Sequence, residues 1–440
     1  MQLTIPLPAG PEFERPPHDF QSIRAMASDS TPCTGTWGPY RLASHFQPIV
    51  SFCYRRIVGY EALMRPQDGL GRPIAPPVLL AMAERNGRLE ELDRLCRYVH
   101  VANHTSLALP DGWLFLNIHP SLFGRPRDGQ GAGFTESLIK HFKVSPSRIV
   151  VEVLEEAVLD DASFEAGVQH LRELGCGIAL DDFGAGHSNF ERIWRIRPDI
   201  VKLDRSYAVR AAEDPSARRM LPSIVALLHE AGSMVLLEGI ETAEQALIAM
   251  DADVDFAQGW YFARSAAPEN LIDVSVQEPL DAVWQAYDEH RQTHQGRYRD
   301  MVGPYLNALG YAATLLAAGR TMQEACAGFL ELPRSERCYL LDSTGCQVSR
   351  NLLTRRIAPT PALVAFQNTS QARWSRRPYF HRALEHPGSV QITRPYRSIA
   401  SSILCVTVSA SMLINGTPHV LCGDVVWDDA PMKAPGKLKA

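Results

Sequence analysis

The chain has 440 residues, of which 45% are hydrophobic, 21% charged and 8% aromatic, and this composition excludes a disordered, collagen-like or disulfide-scaffold protein. Its 44 basic and 49 acidic residues give a formal net charge of −5, so no sequence-wide basic field favours a nucleic-acid polymer as a partner. The length predicts two or three domains, and a large barrel followed by a smaller domain fits equally well.

The nine cysteines form no CxxC pair and no zinc-binding spacing, so we expect free, mostly buried thiols in a reduced compartment. The N-terminal residues contain no basic stretch followed by an apolar run, and no segment approaches about 18 uninterrupted apolar residues. We therefore expect no membrane span and a cytoplasmic location.

Residues 1–36 are rich in proline and lack an amphipathic period, which predicts a flexible N-terminal leader. From 37 to 275, short apolar runs alternate with helical stretches, a pattern typical of parallel strands joined by crossover helices. The alternation fits an eightfold β/α barrel or an open doubly wound sheet. We favour the barrel, because no GxGxxG turn, the phosphate-binding motif of dinucleotide-binding open sheets, follows an early strand of this sequence. The predicted strands are 46–50, 114–118, 149–154, 177–180, 200–203, 234–237 and 257–262.

After the barrel, mixed helical spacings predict a helical connector over residues 276–324. Residues 325–430 predict a small antiparallel α+β domain, because Asn415-Gly416 between two apolar runs is a strong hairpin signal. Residues 431–440 are expected to form a frayed tail.

Polar residues follow most of the predicted barrel strands, at the ends where a β/α barrel has its active site. A single carboxylate past a strand is commonly a helix N-cap, but five or more at one barrel mouth would repel one another unless divalent cations were bound. Oxygen ligands suit Mg²⁺ or Mn²⁺, and no histidine among them favours zinc. The residues are Glu61, Asn117, Glu152, Glu155, Asp181, Asp182, Lys202, Asp204, Glu238, Glu241 and Gln258.

Lys202 is unusual because only six of the 44 basic residues are lysines and none other lies between Lys143 and Lys433. An ammonium is a compact donor that arginine does not imitate, so we expect Lys202 to act at the site, holding a water molecule or offsetting anionic charge. Two metals, a carboxylate cage and one lysine predict in-line hydrolysis of a phosphate ester or diester and leave the substrate open.

Eight sequence blocks across residues 45–265 resemble the EAL domain, the barrel phosphodiesterases that cut cyclic di-GMP to linear pGpG. The signature block is Glu61-Ala62-Leu63 with Arg65. The other blocks are FQPIV around Gln47, LNI with Asn117, VEVLE at 151–155, DDFGAG at 181–186, VKLD ending on Asp204, EGIE at 238–241 and QGW from Gln258. The resemblance implies an EAL-type (β/α)8 TIM-like barrel that hydrolyses cyclic di-GMP.

The resemblance also implies a role for each site residue. One ion would be held by Glu61, Asn117, Glu152 and Asp181, and a second by Asp181, Asp182 and Glu238. Lys202 would position and help to activate the attacking water, near Gln258. The cyclic dinucleotide would contact Gln47, Leu63 and Arg65, with Arg65 on a phosphate. Glu155 would tether the loop 182–189, and Asp204 and Glu241 would be supporting carboxylates.

Two departures from the family pattern bear on this expectation. Pro66 stands where a tryptophan is frequent, and the loop reads GAGHSN where GTGYSS is commoner. The alternative is therefore a catalytically silent receptor that binds cyclic di-GMP and signals through a protein partner. A third hypothesis is a two-metal hydrolase of another phosphodiester. The GGDEF cyclase domain that commonly accompanies EAL domains is absent from the sequence, so synthesis of cyclic di-GMP is not expected.

The C-terminal domain resembles a PAS/Cache-type sensor, through WSRRPYF at 374–380 and the hairpin that follows. We expect it to regulate the barrel, with a pocket for an unknown small anion or amino acid. A packing or dimerisation domain is the alternative, and we expect a homodimer. The predicted pocket residues are Arg373, Arg377, Tyr379, Tyr396 and Asp424.

Overall fold

The computed structural model describes residues 19–107, 112–119, 133–154, 162–186, 190–354, 372–399, 401 and 403–427. The chain divides into two compact units, Met1–Glu289 and His290–Ala440. The division falls within one long helix rather than at residue 275, where the apolar alternation ends. The expected 431–440 tail and Glu155 lie outside the described residues.

The first unit contains one nine-stranded sheet in which the strands pair in chain order. A further pairing between the second and ninth strands closes eight of them into a barrel. The strands are β1 (Gly35–Trp37), β2 (Tyr40–Ser51), β3 (Arg56–Gln67), β4 (Trp113–Asn117), β5 (Ile149–Leu154), β6 (Gly177–Phe183), β7 (Ile200–Leu203), β8 (Met234–Leu237) and β9 (Phe256–Ala257).

Strands β3 to β9 are parallel to one another, as the alternation of strands and helices predicts. The expectation of a parallel strand is wrong for β2, which is antiparallel to both β3 and β9. The reason is local: four residues separate β2 from β3, which is room for a hairpin connection but not for a crossover helix.

Helices cover the outside of this barrel and pack on its apolar residues. Two of these helices end just before Gly175 and Gly232, and both glycines have positive φ, as helix C-termini commonly require. The helices are α1 (Phe20–Ala25), α2 (Pro76–Arg85), α3 (Leu89–Ser106), α4 (Phe134–Phe142), α5 (Ala162–Leu174), α6 (Phe190–Ile196), α7 (Arg205–Glu213), α8 (Pro215–Glu230) and α9 (Ala243–Asp251), with short 3-10 helices at Pro146–Arg148 and Pro268–Asp273.

The flexible leader predicted over 1–36 is wrong for residues 19–36. Ile23 on α1 is fully buried in the barrel core, and strand β1 pairs with β2. Cys33 is held at both backbone groups by the Asn103 side chain of α3, over 2.7 and 2.8 Å. This segment therefore forms part of the barrel's outer layer.

The predicted strand at 257–262 is also shorter than expected, because β9 ends at Ala257. The chain then turns at Gly259, where a Cβ atom would lie 2.0 Å from the carbonyl oxygen of Ile240. Only glycine permits this close approach of two backbones. The turn leaves Gln258 at the carboxyl end of β9, on the site side of the barrel.

The second unit contains a six-stranded antiparallel sheet, in the order β11-β10-β15-β14-β12 with β13 on β14. Its strands are β10 (Ser335–Leu341), β11 (Leu352–Leu353), β12 (Gln391–Ile392), β13 (Tyr396–Arg397), β14 (Leu404–Ile414) and β15 (Thr417–Val426). Its helices are α10 (Gln277–Ala317), which contains the division point, α11 (Met322–Leu330) and α12 (Pro378–Glu385). The boundary predicted at residue 324 falls inside α11.

The predicted hairpin at Asn415-Gly416 is confirmed. Ile414 and Thr417 face each other in the β14–β15 ladder, and the two turn residues have φ values of 49° and 78°. Two consecutive positive φ angles match the twist of the flanking strands, and Asn-Gly adopts them readily. The second unit is thus an antiparallel α+β domain, as its sequence predicts.

The nine cysteines are free, and six of them are buried. No helix in the described ranges is both long and apolar enough to cross a membrane.

Candidate active site

Lys202 lies inside the barrel with 1% of its side chain exposed, and acidic side chains surround its ammonium group. The Nζ atom is 2.5 Å from Glu152 Oε1, 2.7 Å from Glu238 Oε1 and 2.9 Å from Asp181 Oδ1. Glu61 Oε1 is farther away, at 3.9 Å. The prediction that these strand-end residues converge on one barrel mouth is confirmed for this cluster.

The strand register places the cluster. Asn117 on β4 faces Glu152 on β5, and Glu61 on β3 lies opposite Phe115 on β4. Alternate residues of a strand point to opposite faces, so the polar residue near each carboxyl end enters the barrel while its neighbours pack outside. Lys202 follows the same rule on β7, where all four residues are buried.

A β-bulge explains how two consecutive aspartates reach the same place. The β6–β7 register shifts between Leu180 and Phe183, and Asp182 has a left-handed φ of 56°. Bulges of this type redirect a side chain that a regular strand would send to the opposite face. Asp181, Asp182 and Glu238 each offer one oxygen, and these three atoms lie within 4.8 Å of one another.

Burial dominates the ionisation of the cluster. It raises the pKa of Glu152 well above the usual range and that of Glu238 to about 8, against the opposing effect of the Lys202 charge. Burial, with the negative charge of Asp181, raises the pKa of Asp182 to about 6. For Lys202, burial alone would lower the pKa, but the surrounding carboxylates outweigh it and the pKa lies well above its usual value.

Crowding adds to the effect of burial on the carboxyl groups, since five of them surround a single ammonium. Excess negative charge in a buried place is relieved either by protons or by bound cations. The donors are all oxygens, which divalent cations of the Mg²⁺ and Mn²⁺ type prefer. The chemistry of the donor set therefore fits such ions.

Two amides orient Glu61 and Glu152. Asn117 Nδ2 donates to Glu152 Oε2 over 2.7 Å and to Glu61 Oε1 over 3.4 Å. Gln258 Nε2 donates to Glu61 Oε2 over 2.6 Å. Gln258 is 3% exposed, and its Oε1 atom has no hydrogen-bond partner in the part of the chain that the structure describes. A buried acceptor of this kind is a second indication that a polar group binds here.

The predicted substrate residues lie beside the cluster. Gln47 on β2 pairs with Glu61, and Leu63 and Arg65 lie on the same face of β3 as Glu61. The Arg65 guanidinium donates to Ser265 Oγ over 2.8 Å and to the Met64 carbonyl over 3.0 Å. By the same alternation, Pro66 lies on the opposite face and is buried, so the unusual proline does not line this side.

The supporting carboxylates lie at the rim rather than in the cluster. Asp204 caps helix α7, because its side chain accepts a hydrogen bond from the Ser206 backbone N–H over 2.9 Å. For this residue the structure therefore shows the helix N-cap that is the common alternative for a carboxylate past a strand. Glu241 pairs with Arg205 over 3.0 Å. Glu155 and the loop residues 187–189 lie outside the described residues.

Sequence reasoning missed three residues beside the site. Ser265 holds Arg65, and Arg205 and Trp260 line the same cavity as Gln47 and Gln258. Trp260 stands in the QGW block and is 55% exposed, with the Arg264 guanidinium 4.1 Å from its ring centroid. An exposed tryptophan directly after a site glutamine is the signal that could have identified it.

In the second unit, four of the five predicted pocket residues line one cavity, namely Arg377, Tyr379, Tyr396 and Asp424. The prediction is wrong for Arg373, which is exposed outside the cavity with Nε 3.4 Å from the Thr344 carbonyl oxygen. Arg373 lies before the turn that leads into α12, whereas Arg377 is the residue at the start of that helix.

Together these features define a closed β/α barrel whose mouth carries an acidic oxygen-donor cluster around one buried lysine. The family model of the EAL domain matches residues 40–265, which is half of the chain. The chain belongs to the EAL domain family.

Curated relatives match over the same region. The cyclic di-GMP phosphodiesterase RocR of Pseudomonas aeruginosa is 31% identical over 237 residues, covering 52% of this chain and 59% of that protein. The probable cyclic di-GMP phosphodiesterase PdeB of Escherichia coli is 30% identical over 239 residues, covering 52% and 43%. The chain thus spans about half the length of these relatives.

A solved structure also matches beyond the barrel. The Bacillus subtilis YkuI protein, which has an EAL domain and was solved with substrate c-di-GMP and calcium, aligns with a TM-score of 0.70. The alignment covers 88% of this chain and 96% of that one at 22% identity. At this identity the likeness concerns the fold alone, and it includes part of the second unit.

Proposed function

We propose that this chain is a phosphodiesterase that hydrolyses cyclic di-GMP to linear pGpG. The observation that carries the proposal is the cluster of five carboxyl groups around Lys202, on a barrel of the EAL family. The names of the relatives RocR and PdeB supply the substrate class. The silent-receptor alternative is less well supported, because every predicted ligand of the metal cage is present in the cluster.

The metal cage would take two Mg²⁺ or Mn²⁺ ions. Glu61, Asn117, Glu152 and Asp181 would hold one ion, and Asp181, Asp182 and Glu238 the other. Two divalent ions at such a site supply a nucleophilic hydroxide at neutral pH and stabilise the charge of an in-line displacement at phosphorus. Because the bulge brings Asp181 and Asp182 to one place, strand β6 alone would supply oxygen donors to both ions.

Lys202 acts within this cage as a fixed positive charge. Its contacts with Glu152, Asp181 and Glu238 hold the three carboxylates in place and offset part of their repulsion. The Nζ atom carries three N–H donors, so a shift of one carboxylate toward a metal ion would free a donor for the attacking water. Gln258 would hold that water through Oε1 while its Nε2 fixes Glu61.

Substrate binding uses the other side of the mouth. The half-buried Arg65 guanidinium would pair with a phosphate oxygen, because the described residues that it donates to are both uncharged. Gln47 and Leu63 would contact the dinucleotide beside it. Asp204 and Glu241 would act through α7, whose first turn they fix by a cap and an ion pair. Glu155 would tether the loop 182–189.

The C-terminal unit would bind a small ligand and regulate the barrel, as a PAS/Cache-like sensor does. We further propose a cytoplasmic homodimer. The cavity lined by Arg377, Tyr379, Tyr396 and Asp424 supports the ligand part of this proposal.

Turnover tests the proposed activity. Purified full-length chain is incubated with cyclic di-GMP and Mg²⁺, and the products are separated by reverse-phase chromatography. We expect pGpG to form, and its formation to fall by at least about a hundredfold with Glu61→Gln or with Ca²⁺ in place of Mg²⁺. Glu84→Gln, an exposed carboxylate on α2, serves as the matched control and should leave turnover unchanged. Intact cyclic di-GMP in samples where calorimetry detects its binding would overturn the proposal in favour of a receptor.

A further inference from the structure

Three side chains with metal-binding atoms meet inside the second unit. Glu336 lies on β10, Cys405 on β14 and Asp424 on β15, so three strands of the sheet each contribute one of them. One oxygen of each carboxylate and the Cys405 sulfur lie within 4.8 Å of one another. The three residues are 5%, 0% and 3% exposed, so the whole cluster is buried.

A β-bulge brings Glu336 into this cluster. Arg337 faces Asp424 in the β10–β15 ladder, and the register shifts between Ser335 and Arg337, which leaves Glu336 as the extra residue. A bulge of this kind redirects a side chain that regular alternation would send to the opposite face. Glu336 and Arg337 therefore lie on the same side of the sheet as Asp424, although they are consecutive in the chain.

The two carboxylates of the cluster are incompletely compensated. The Arg337 guanidinium is 2.5 Å from Glu336 Oε1, and its Nε atom is 3.2 Å from Asp424 Oδ2, so both carboxylates share its single positive charge. Glu336 Oε2 is buried and has no hydrogen-bond partner among the described residues. A buried carboxylate oxygen without a donor is costly, and a bound cation would relieve that cost.

The cysteine determines which cation suits the cluster. Mg²⁺ and Ca²⁺ take oxygen ligands, whereas a thiolate beside carboxylates suits Zn²⁺. Zinc binds sulfur at about 2.3 Å and carboxylate oxygen at about 2.0–2.2 Å, so small shifts of the three side chains would bring them onto one ion. The Cys405 thiol would bind as a thiolate and release its proton to solvent. Arg337 and the divalent ion would then balance the three negative ligands.

We propose that Glu336, Cys405 and Asp424 form a zinc site in the second unit, with water as the fourth ligand. The ion would join β10, β14 and β15 and so stabilise the sheet. The chain would then sort metals by donor type, because the barrel cluster offers oxygens and this cluster adds a sulfur. This inference concerns the second unit alone and does not depend on the proposed hydrolysis of cyclic di-GMP.

Co²⁺ serves as the probe, because a thiolate bound to Co²⁺ gives a charge-transfer band in the near ultraviolet that oxygen ligands do not give. The full-length chain is treated with EDTA, dialysed into excess Mg²⁺, which suits the barrel cluster, and titrated with Co²⁺. We expect the band to reach its maximum at one Co²⁺ per chain and to disappear when excess Zn²⁺ is added. Absence of the band would overturn the proposal, and a proton would then be the charge that compensates the second carboxylate.

Variants locate the site. Cys405→Ser should abolish the band, and Glu336→Gln should weaken Co²⁺ binding at least about tenfold, because each change removes a ligand. The matched controls are Cys53→Ser, at an exposed cysteine of the first unit, and Glu385→Gln, at an exposed carboxylate on α12. Both controls should leave the titration unchanged.

Thermal melting shows whether each variant is folded. If Cys405→Ser does not fold, Glu336→Gln still tests the site, because glutamine keeps the shape of the glutamate side chain. A band that persists in folded Cys405→Ser, or unchanged Co²⁺ affinity in Glu336→Gln, would contradict the assignment.

Discussion

The Lys202 ammonium and the Glu152 carboxylate form an ion pair of 2.5 Å in the interior of the barrel, where each residue is 1% exposed. Neither group has contact with bulk water, so each depends on the other and on the neighbouring carboxylates for compensation of its charge. A pair of this kind contributes to the geometry of a site more reliably than to the stability of a fold.

Replacing Lys202 by methionine should uncover that dependence. We expect turnover of cyclic di-GMP to fall at least about a hundredfold. The free energy of unfolding measured in EDTA should fall by about 3 kcal/mol, because the carboxylates lose their buried partner. Mn²⁺ should then raise the melting temperature of Lys202→Met more than that of the unaltered chain. A smaller rise in melting temperature with Mn²⁺ in the variant than in the unaltered chain would contradict this. It would show that a bound ion does not compensate the carboxylate charge that the Lys202 ammonium otherwise compensates.

The bulge at Asp182 leads to a second prediction. Two substitutions at this position separate the effect of the side-chain charge from that of the backbone conformation. Asparagine tolerates the left-handed region, whereas alanine in that region costs about 1 kcal/mol. Both Asp182→Asn and Asp182→Ala should lower turnover by about 10- to 100-fold through loss of a ligand. Only Asp182→Ala should also be less stable, by about 1 kcal/mol, in urea unfolding. Equal stability of the two variants would contradict the role given to the φ of 56°.

Ser265 is predicted to act on substrate binding through Arg65. Loss of its hydroxyl removes a 2.8 Å hydrogen bond that fixes the guanidinium. Ser265→Ala should raise KM about three- to tenfold with little change in kcat, because Arg65 contributes to binding in both ground and transition states. The control is Ser147→Ala, an exposed serine outside the site. A fall in kcat at constant KM would instead place Ser265 in the chemical step.

Two buried histidines contribute a loss of stability in mild acid, and this contribution is opposite in sign to that of Glu238, whose pKa is raised to about 8. Burial, with the nearby Arg65 charge, lowers the pKa of His100 to about 3, and burial with Arg148 lowers that of His104 to about 4. In the unfolded chain both titrate near about 6.5, so the unfolded state takes up protons first as the pH falls. The stabilising effect is therefore complete above pH 6.5 and decreases toward pH 4.

Each histidine should contribute up to about 1.4 kcal/mol per pH unit to the slope of the unfolding free energy. Urea unfolding at several pH values between 7 and 4.5 measures it, and His100→Gln should make the slope shallower. His386→Gln, which alters an exposed histidine of the second unit, should not. The same slope in His100→Gln as in the unaltered chain would exclude this histidine as a source of the effect.

Much of the site could be predicted from the sequence because, in a β/α barrel, a residue's position along its strand determines how near it lies to the barrel mouth. Glu61, Glu152, Asp181 and Lys202 each lie near the end of an apolar run, and the parallel strands bring those ends together. The Asn415-Gly416 turn was predictable for a different reason, since two residues suffice to determine its backbone conformation.

The rest depends on contacts that no local pattern encodes. The direction of β2 is an exception, because the four-residue connection to β3 does indicate a hairpin, but β3 was not among the predicted strands. The hydrogen bond from Arg65 to Ser265 joins residues 200 positions apart. The Phe20–Ala25 helix has too few apolar residues for a period to be recognised, and its burial follows from the partner surface on α3.

The Mn²⁺ stoichiometry of the full-length chain, measured by electron paramagnetic resonance with cyclic di-GMP present, tests the two-ion cage most directly. We expect two ions per chain with magnetic coupling between them, and the loss of one ion and of the coupling in Asp182→Asn. One uncoupled ion per chain, or none, in the unaltered protein would contradict it.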